Sequence, residues 1–182
     1  MTEKISYAIL DMDELSNEQQ QEVAGWVANY LETVGYEQYK MLKKTPEQIL
    51  AKMGKVAYLV TGTHELGQKI GFQGSEQPTE GPYGAMAEVG TLFVLEEFQH
   101  KGVAANLKKA MVDKLVTMGV VPYSFNNDNS RPLATALGFT EATAADVPLC
   151  AIEACGDCSI MKAGLVAPGK CCDTIMMYKG DK

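Results

Sequence analysis

Residues 87–118 constrain the fold more than any other part of the chain. An apolar run over 87–95 reads as a strand. It leads to Gln99-His100-Lys101-Gly102-Val103-Ala104, a turn whose small residues (Gly102, Ala104) let backbone approach a ligand. Residues 102–118 then show helical periodicity, with Val103, Leu107, Met111, Leu115 and Val116 inward and Gly119 as the stop. The first N–H groups of such a helix have no partners inside it, and they carry the positive end of its dipole. A strand, turn and helix joined in this way form an anion site suited to pyrophosphate. On spacing alone, a tight turn with no ligand fits equally well.

The rest of the chain supplies a mixed α/β pattern. Residues 6–12 read as a strand, and Ser16 as a helix N-cap with Glu18 and Gln19 close to a capping box. Val23, Trp26, Val27, Tyr30 and Leu31 make one helical stripe. Thr45 caps a second helix that has Pro46 at its first position and is stopped by Gly54. Residues 56–61 and 69–73 read as a hairpin around a turn at 62–67, and residues 74–84 as a loop. After the long helix come a strand (120–125), a short helix (129–137) and strands at 139–142 and 174–178. The order β-α-α-β-β-β-α-β-α-β-β implies an α/β domain with a meander in the middle and crossover helices later. The chain has 182 residues, which suits one domain with one core.

Two motifs in register resemble the GNAT family of N-acetyltransferases. The family's hallmark Gln/Arg-x-x-Gly-x-Gly/Ala is matched by Gln99, Gly102 and Ala104. Its later pattern, Asn-x-x-Ala/Ser-x-x-x-Tyr-x-x-x-Gly-Phe, is matched by Asn127, Ser130 and Gly138-Phe139. Ala134 stands where the family usually has Tyr. The resemblance covers roughly residues 5–142 and the final strand. It implies a single domain, 1–182, with a mixed, splayed central sheet flanked by helices. It also implies acetyl transfer from acetyl-CoA to a primary amine of a small molecule or a protein. The backbone of Phe93 and Val94 would pair with the pantetheine arm, and the turn from Gln99 through His100, Lys101, Gly102 and Val103 to Ala104 would hold the pyrophosphate. Asn127, with Ser130, would bind near the pantetheine or order the splay.

Moving an acetyl group from a thioester to an amine needs a deprotonated amine, a polarised carbonyl and a proton for the leaving thiolate. In the family a Glu on the fourth strand often takes the amine proton through water, which makes Glu88 the candidate base. Strand alternation puts Glu88 on one face with Gly90 and Leu92. With Ala134 in the Tyr position, Tyr123 is the candidate acid, and a core or rim aromatic is the other reading of it. Two histidines far apart in sequence, His64 in the hairpin turn and His100, give little support to a His-dependent hydrolase.

All five cysteines fall in the last third. Cys155 and Cys158 form a C-x-x-C pair, and Cys171-Cys172 follows, a spacing open to structural zinc with Cys150 as a substitute ligand. Redox chemistry, a disulfide or inert thiols remain open. The long connection 143–172 is thus expected to be a cysteine-rich insertion. Lys and Arg number 16 against 23 Asp and Glu, so no basic footprint for nucleic acid is present. No run of about 18 apolar residues suggests a membrane span, and no signal-peptide pattern opens the chain, so the expected location is the cytoplasm. The expected partners are acetyl-CoA and an amine, with a homodimer left open. The alternatives are an acyl-CoA-binding sensor with little turnover and a zinc-binding interaction protein.

Overall fold

The computed structural model describes residues 5–35, 43–53, 58–64, 67–154 and 174–180. It is a mixed, open α/β sheet flanked by helices, as the element order predicts. The chain divides into two units, residues 1–77 with 90–111 and residues 78–89 with 112–182. Strand β5 (Gly84–Val94) and helix α3 (Val103–Thr117) contribute to both.

In the first unit, β1 (Ile5–Asp11), β2 (Tyr58–His64) and β3 (Lys69–Ser75) form an antiparallel meander. Helix α1 (Asn17–Tyr30) runs on into a π-helical turn, Leu31–Gly35, and α2 is Pro46–Met53. The capping signals work as the residue types require. Ser16 Oγ accepts from the Gln19 N–H, and the Gln19 side chain accepts from the Ser16 N–H. Thr45 and Gln48 make the same exchange ahead of Pro46. The helical stripe then buries Val27 and Leu31 with Ile49 and Phe72 in one core. Tyr30, Phe72 and Phe93 cluster there, Tyr30 edge-on to Phe72 and tilted against Phe93 with ring centroids 3.6 Å apart. Truncating a core ring of this kind costs about 3–5 kcal/mol.

The hairpin is longer than its turn residues suggest. Gly62, Thr63 and His64 belong to β2, because a register shift at Gly62/Thr63 absorbs the glycine inside the ladder. Gly71 on β3 allows a close approach to β5: a Cβ there would sit 2.6 Å from the Phe93 carbonyl oxygen. The Leu95 N–H donates to Ile70 O at 2.8 Å beside it.

In the second unit, β5 pairs in parallel with β6 (Val121–Asn126), from Met86 with Val121 to Glu88 with Tyr123. Strand β8 (Thr174–Tyr178) runs antiparallel to β6 and to β7 (Phe139–Ala142). The expected loop at 74–84 instead contains β4 (Thr79–Gly81), which folds back on the start of β5 around Pro82 and Tyr83. Helix α4 is Arg131–Ala136, shorter than predicted because Asn129 and Ser130 are used in the turn before it. The connection after β7 is partly helical, with α5 at Leu149–Glu153. Val116, predicted inward, is 46% exposed, since its neighbour Leu115 takes the core side of the last turn of α3.

Candidate active site

Two strand-to-helix junctions carry the residues singled out by sequence. At the first, between β5 and α3, His100 and Gly102 both lie in the left-handed region, with φ of 58° and 78°. That conformation is strained for His and free for Gly. Side chains of the turn reach back onto the protein. Gln99 Nε2 donates to Val94 O at 3.1 Å, Lys101 Nζ lies 5.1 Å from the Phe98 ring centre, and Asn106 Nδ2 donates to Tyr7 OH at 3.2 Å. Among the described residues, no acceptor meets the backbone N–H groups of His100, Gly102, Val103 or Ala104. His100, Lys101 and Gly102 are exposed, and a Cβ on Gly102 would have no neighbour nearer than 4.0 Å. Such a cradle of N–H groups at the start of a 15-residue helix fits a phosphate group.

Phe93 and Val94 precede this junction, with their side chains buried. Whatever they offer a ligand is therefore backbone. One step earlier, Thr91 has a φ of 55°, an outlier for a β-branched residue. Thr91 lies within the continuous strand β5, between Glu88 and Leu92. Gln73, fully buried, donates through Nε2 to Gly74 O at 3.0 Å and also to Gly90 O. Its Oε1 is buried with no hydrogen-bond partner among the described residues. Sequence reasoning missed both Thr91 and Gln73. A lone Gln in a strand carries no motif, and a positive φ at Thr has no signature.

At the second junction, between β6 and α4, Asn127 is used by its own turn. Its Oδ1 accepts from the N–H groups of Asn129 and Ser130, each at 3.0 Å, and from Ser130 Oγ at 3.2 Å. Ser130 Oγ in turn accepts from the Asn127 N–H at 3.1 Å. Ala134, in α4, is fully buried with Val112, Phe139 and Met176. Glu88 and Tyr123 are register partners on adjacent parallel strands, which puts both on one face of the sheet. Glu88 is half-buried. Tyr123 is only 3% exposed and packs with Met86, Val147 and Met177.

A cavity lies within the first unit. Its apolar wall is Val27, Leu31, Ile49 and Met53, and Gly90 and Thr91 close one side. Lys44, Lys52 and Glu76 line it as well. Cys155, Cys158, Cys171 and Cys172 lie outside the described residues. Cys150 is exposed, with its thiol donating to Thr79 Oγ1 at 3.7 Å. No group of three or more metal-ligating side chains occurs among the described residues. No described helix is long and apolar enough to cross a membrane.

Comparison with known proteins gives a family match. Residues 18–139 match the family model described as Acetyltransferase (GNAT) family. No curated protein sequence matches. Among solved structures, the chain is similar to a GNAT-family acetyltransferase from Staphylococcus aureus Mu50, with 10% identity, a TM-score of 0.62, and 95% of this chain and 98% of that one covered. It is also similar to N-acetylglutamate synthase from Neisseria gonorrhoeae, solved with coenzyme A and N-acetyl-glutamate. There identity is 14% and the TM-score 0.63, over 98% of this chain but only 36% of the longer one. A third is the ribosomal-protein-S18-alanine N-acetyltransferase of Escherichia coli, at 17% identity and a TM-score of 0.54, covering 76% and 80%. At these identities the likeness is one of fold.

Proposed function

The chain belongs to the acetyltransferase (GNAT) family, and from that premise we propose how its residues divide the work of acetyl transfer. The protein moves an acetyl group from acetyl-CoA to an amine. The amine nitrogen forms a bond to the thioester carbon, the C–S bond breaks, the amine gives up a proton and the thiolate gains one. Backbone N–H groups of the turn 99–104 hold the pyrophosphate, with the dipole of α3 favouring its charge. The observation that carries this is the pair of left-handed residues, His100 and Gly102, directly ahead of a helix whose first N–H groups meet no acceptor among the described residues. Phe93 and Val94 offer their backbone to the pantetheine arm, because their side chains are committed to the core. Asn127 and Ser130 hold their own turn, and through it the end of β6.

Glu88 serves as the base that accepts the amine proton, directly or through water. Its support is a half-buried position on the strand that carries the irregularity at Thr91. Tyr123, its register partner, is the acid for the thiolate. Thiol release from acetyl-CoA across an amine panel tests this. Glu88→Gln is expected to lower kcat by about 100-fold or more, the range of a lost general base, with acetyl-CoA affinity unchanged. Equal turnover in Glu88→Gln and wild type would remove Glu88 from the mechanism. Tyr123→Phe keeps the packing and is expected to lower kcat alone.

A further inference from the structure

We propose that Gln73 is a positioning residue for acetyl transfer: from β3 it holds the Gly90–Thr91 peptide of β5 in the orientation that serves the thioester end of acetyl-CoA. The proposal rests on the acetyltransferase reading and adds a residue that acts on the reaction only through the backbone it holds.

Gln73 is fully buried on β3. A buried Gln side chain brings two N–H donors and one carbonyl oxygen that need partners. Nε2 donates to Gly74 O at 3.0 Å and to Gly90 O, so its donors are used. Oε1 is buried and meets no partner among the described residues. Turning the amide over would set Oε1 against both carbonyl oxygens, so those two acceptors fix which way it lies. An orphaned buried acceptor opposes folding. A Met side chain would fill the same space without one. What the amide does and a Met could not do is hold the Gly90 carbonyl.

That carbonyl belongs to the peptide joining Gly90 to Thr91. A trans peptide is planar, with its C=O and N–H pointing in opposite directions. Tying the oxygen to Gln73 therefore also fixes the direction of the Thr91 N–H. The residue that follows is strained, since Thr91 has a φ of 55°. A β-branched residue keeps such a value only where its surroundings hold it. Gly74 lies close on the same side: a Cβ there would be 3.6 Å from Gly90 O and 3.8 Å from Thr91 Cβ. One buried side chain thus grips a peptide that its own backbone preference would release.

The order of residues along β5 says which part of the cofactor this peptide serves. The turn 99–104 takes the pyrophosphate, and the backbone of Phe93 and Val94 takes the pantetheine arm. Continuing in that direction, the next backbone is Thr91 and then Gly90, each residue advancing the strand by about 3.3 Å. The sulfur end of the arm therefore comes to the peptide that Gln73 holds. Loss of the grip disturbs the reacting end and leaves the pyrophosphate cradle intact, so it separates turnover from affinity.

Two measurements test this. Steady-state transfer from acetyl-CoA to the best acceptor of an amine panel is compared for wild type and Gln73→Met, which keeps the length of the side chain and removes its donors. The variant is expected to lose kcat at least about tenfold, the scale of a misplaced reacting group, with acetyl-CoA affinity within about twofold and a melting temperature near wild type. An unchanged kcat overturns the proposal. So does a kcat loss matched by an equal loss of acetyl-CoA affinity, because a merely structural Gln73 would weaken both. The second measurement uses wild type alone and needs neither turnover nor a folded variant. The Thr91 amide resonance is expected to differ between the acetyl-CoA and CoA complexes, while the amides of 100–104 superimpose. A Thr91 amide indifferent to the acetyl group overturns the proposal and leaves the family reading standing. If acetyl-CoA does not bind at all, the acetyltransferase reading fails and takes the proposal with it.

Discussion

The two strand-to-helix junctions differ in what they do with their N–H groups. After β6, the turn satisfies itself: Asn127 Oδ1 takes the N–H groups of Asn129 and Ser130, and Ser130 Oγ takes that of Asn127. After β5, the side chains of Gln99, Lys101 and Asn106 reach away to Val94, Phe98 and Tyr7. Among the described residues, the N–H groups of His100, Gly102, Val103 and Ala104 meet no acceptor. A junction that hydrogen-bonds to itself is a structural device. One that holds strained backbone with donors free of any described acceptor is the junction proposed here to bind phosphate. The sequence singled out both as parts of one family pattern, and the hydrogen bonds are what distinguish them.

The largest expected effect comes from placing a carboxylate in the first junction. Gly102→Glu adds a side chain where φ is 78° and a negative charge where pyrophosphate would sit. Acetyl-CoA affinity is expected to fall about 100-fold, or about 2.7 kcal/mol. Asn127→Ala in the second junction should cost about 1 kcal/mol of stability through its lost hydrogen bonds, with acetyl-CoA affinity within about threefold of wild type. Calorimetry on the two variants breaks the comparison if they lose affinity equally.

Ala134 sharpens it next. The family pattern places Tyr here, but the residue is fully buried against Val112, Phe139 and Met176. Ala134→Tyr is expected to lower stability by about 3 kcal/mol through overpacking and to leave kcat no higher. A gain in kcat would show that the α4 junction does reach the reacting groups.

The smallest effect concerns a third self-satisfied turn. Asp146 accepts from the Thr143 N–H and hydroxyl and from Tyr83 OH. The Tyr83 hydrogen bond, then those from Thr143, hold its carboxyl down from the ordinary 3.8 to about 2. Because the folded pKa is depressed, the stabilisation is present above about pH 4 and is lost as pH falls toward 2. Asp146→Asn is expected to flatten the melting temperature over that window, with no effect on acetyl-CoA binding. An unchanged slope would mean the turn contributes nothing there.

Much of the fold could be read because its signals are local. Ser16 with Gln19 and Thr45 with Pro46 set two helix starts through hydrogen bonds within one turn. The inward stripe of Val103, Leu107, Met111 and Leu115 fixed α3. Strand β4 was missed because three residues, Thr79–Gly81, have no period of their own and exist only by pairing with β5. At the site, the motif singled out the turn and the family's strand position singled out Glu88 as candidates. The Gln73 grip on Gly90 was not, since it joins two strands 17 residues apart. Nor was the cavity, which depends on helix α2 packing near Thr91, a contact distant in sequence.

Backbone amide shifts on titration with CoA test the central claim most directly. The largest changes in the ¹H–¹⁵N spectrum are expected at His100, Gly102, Val103 and Ala104, with the Asn129 and Ser130 amides nearly unmoved. Saturating shifts centred on Asn129 and Ser130, with the 100–104 amides unchanged, would contradict it.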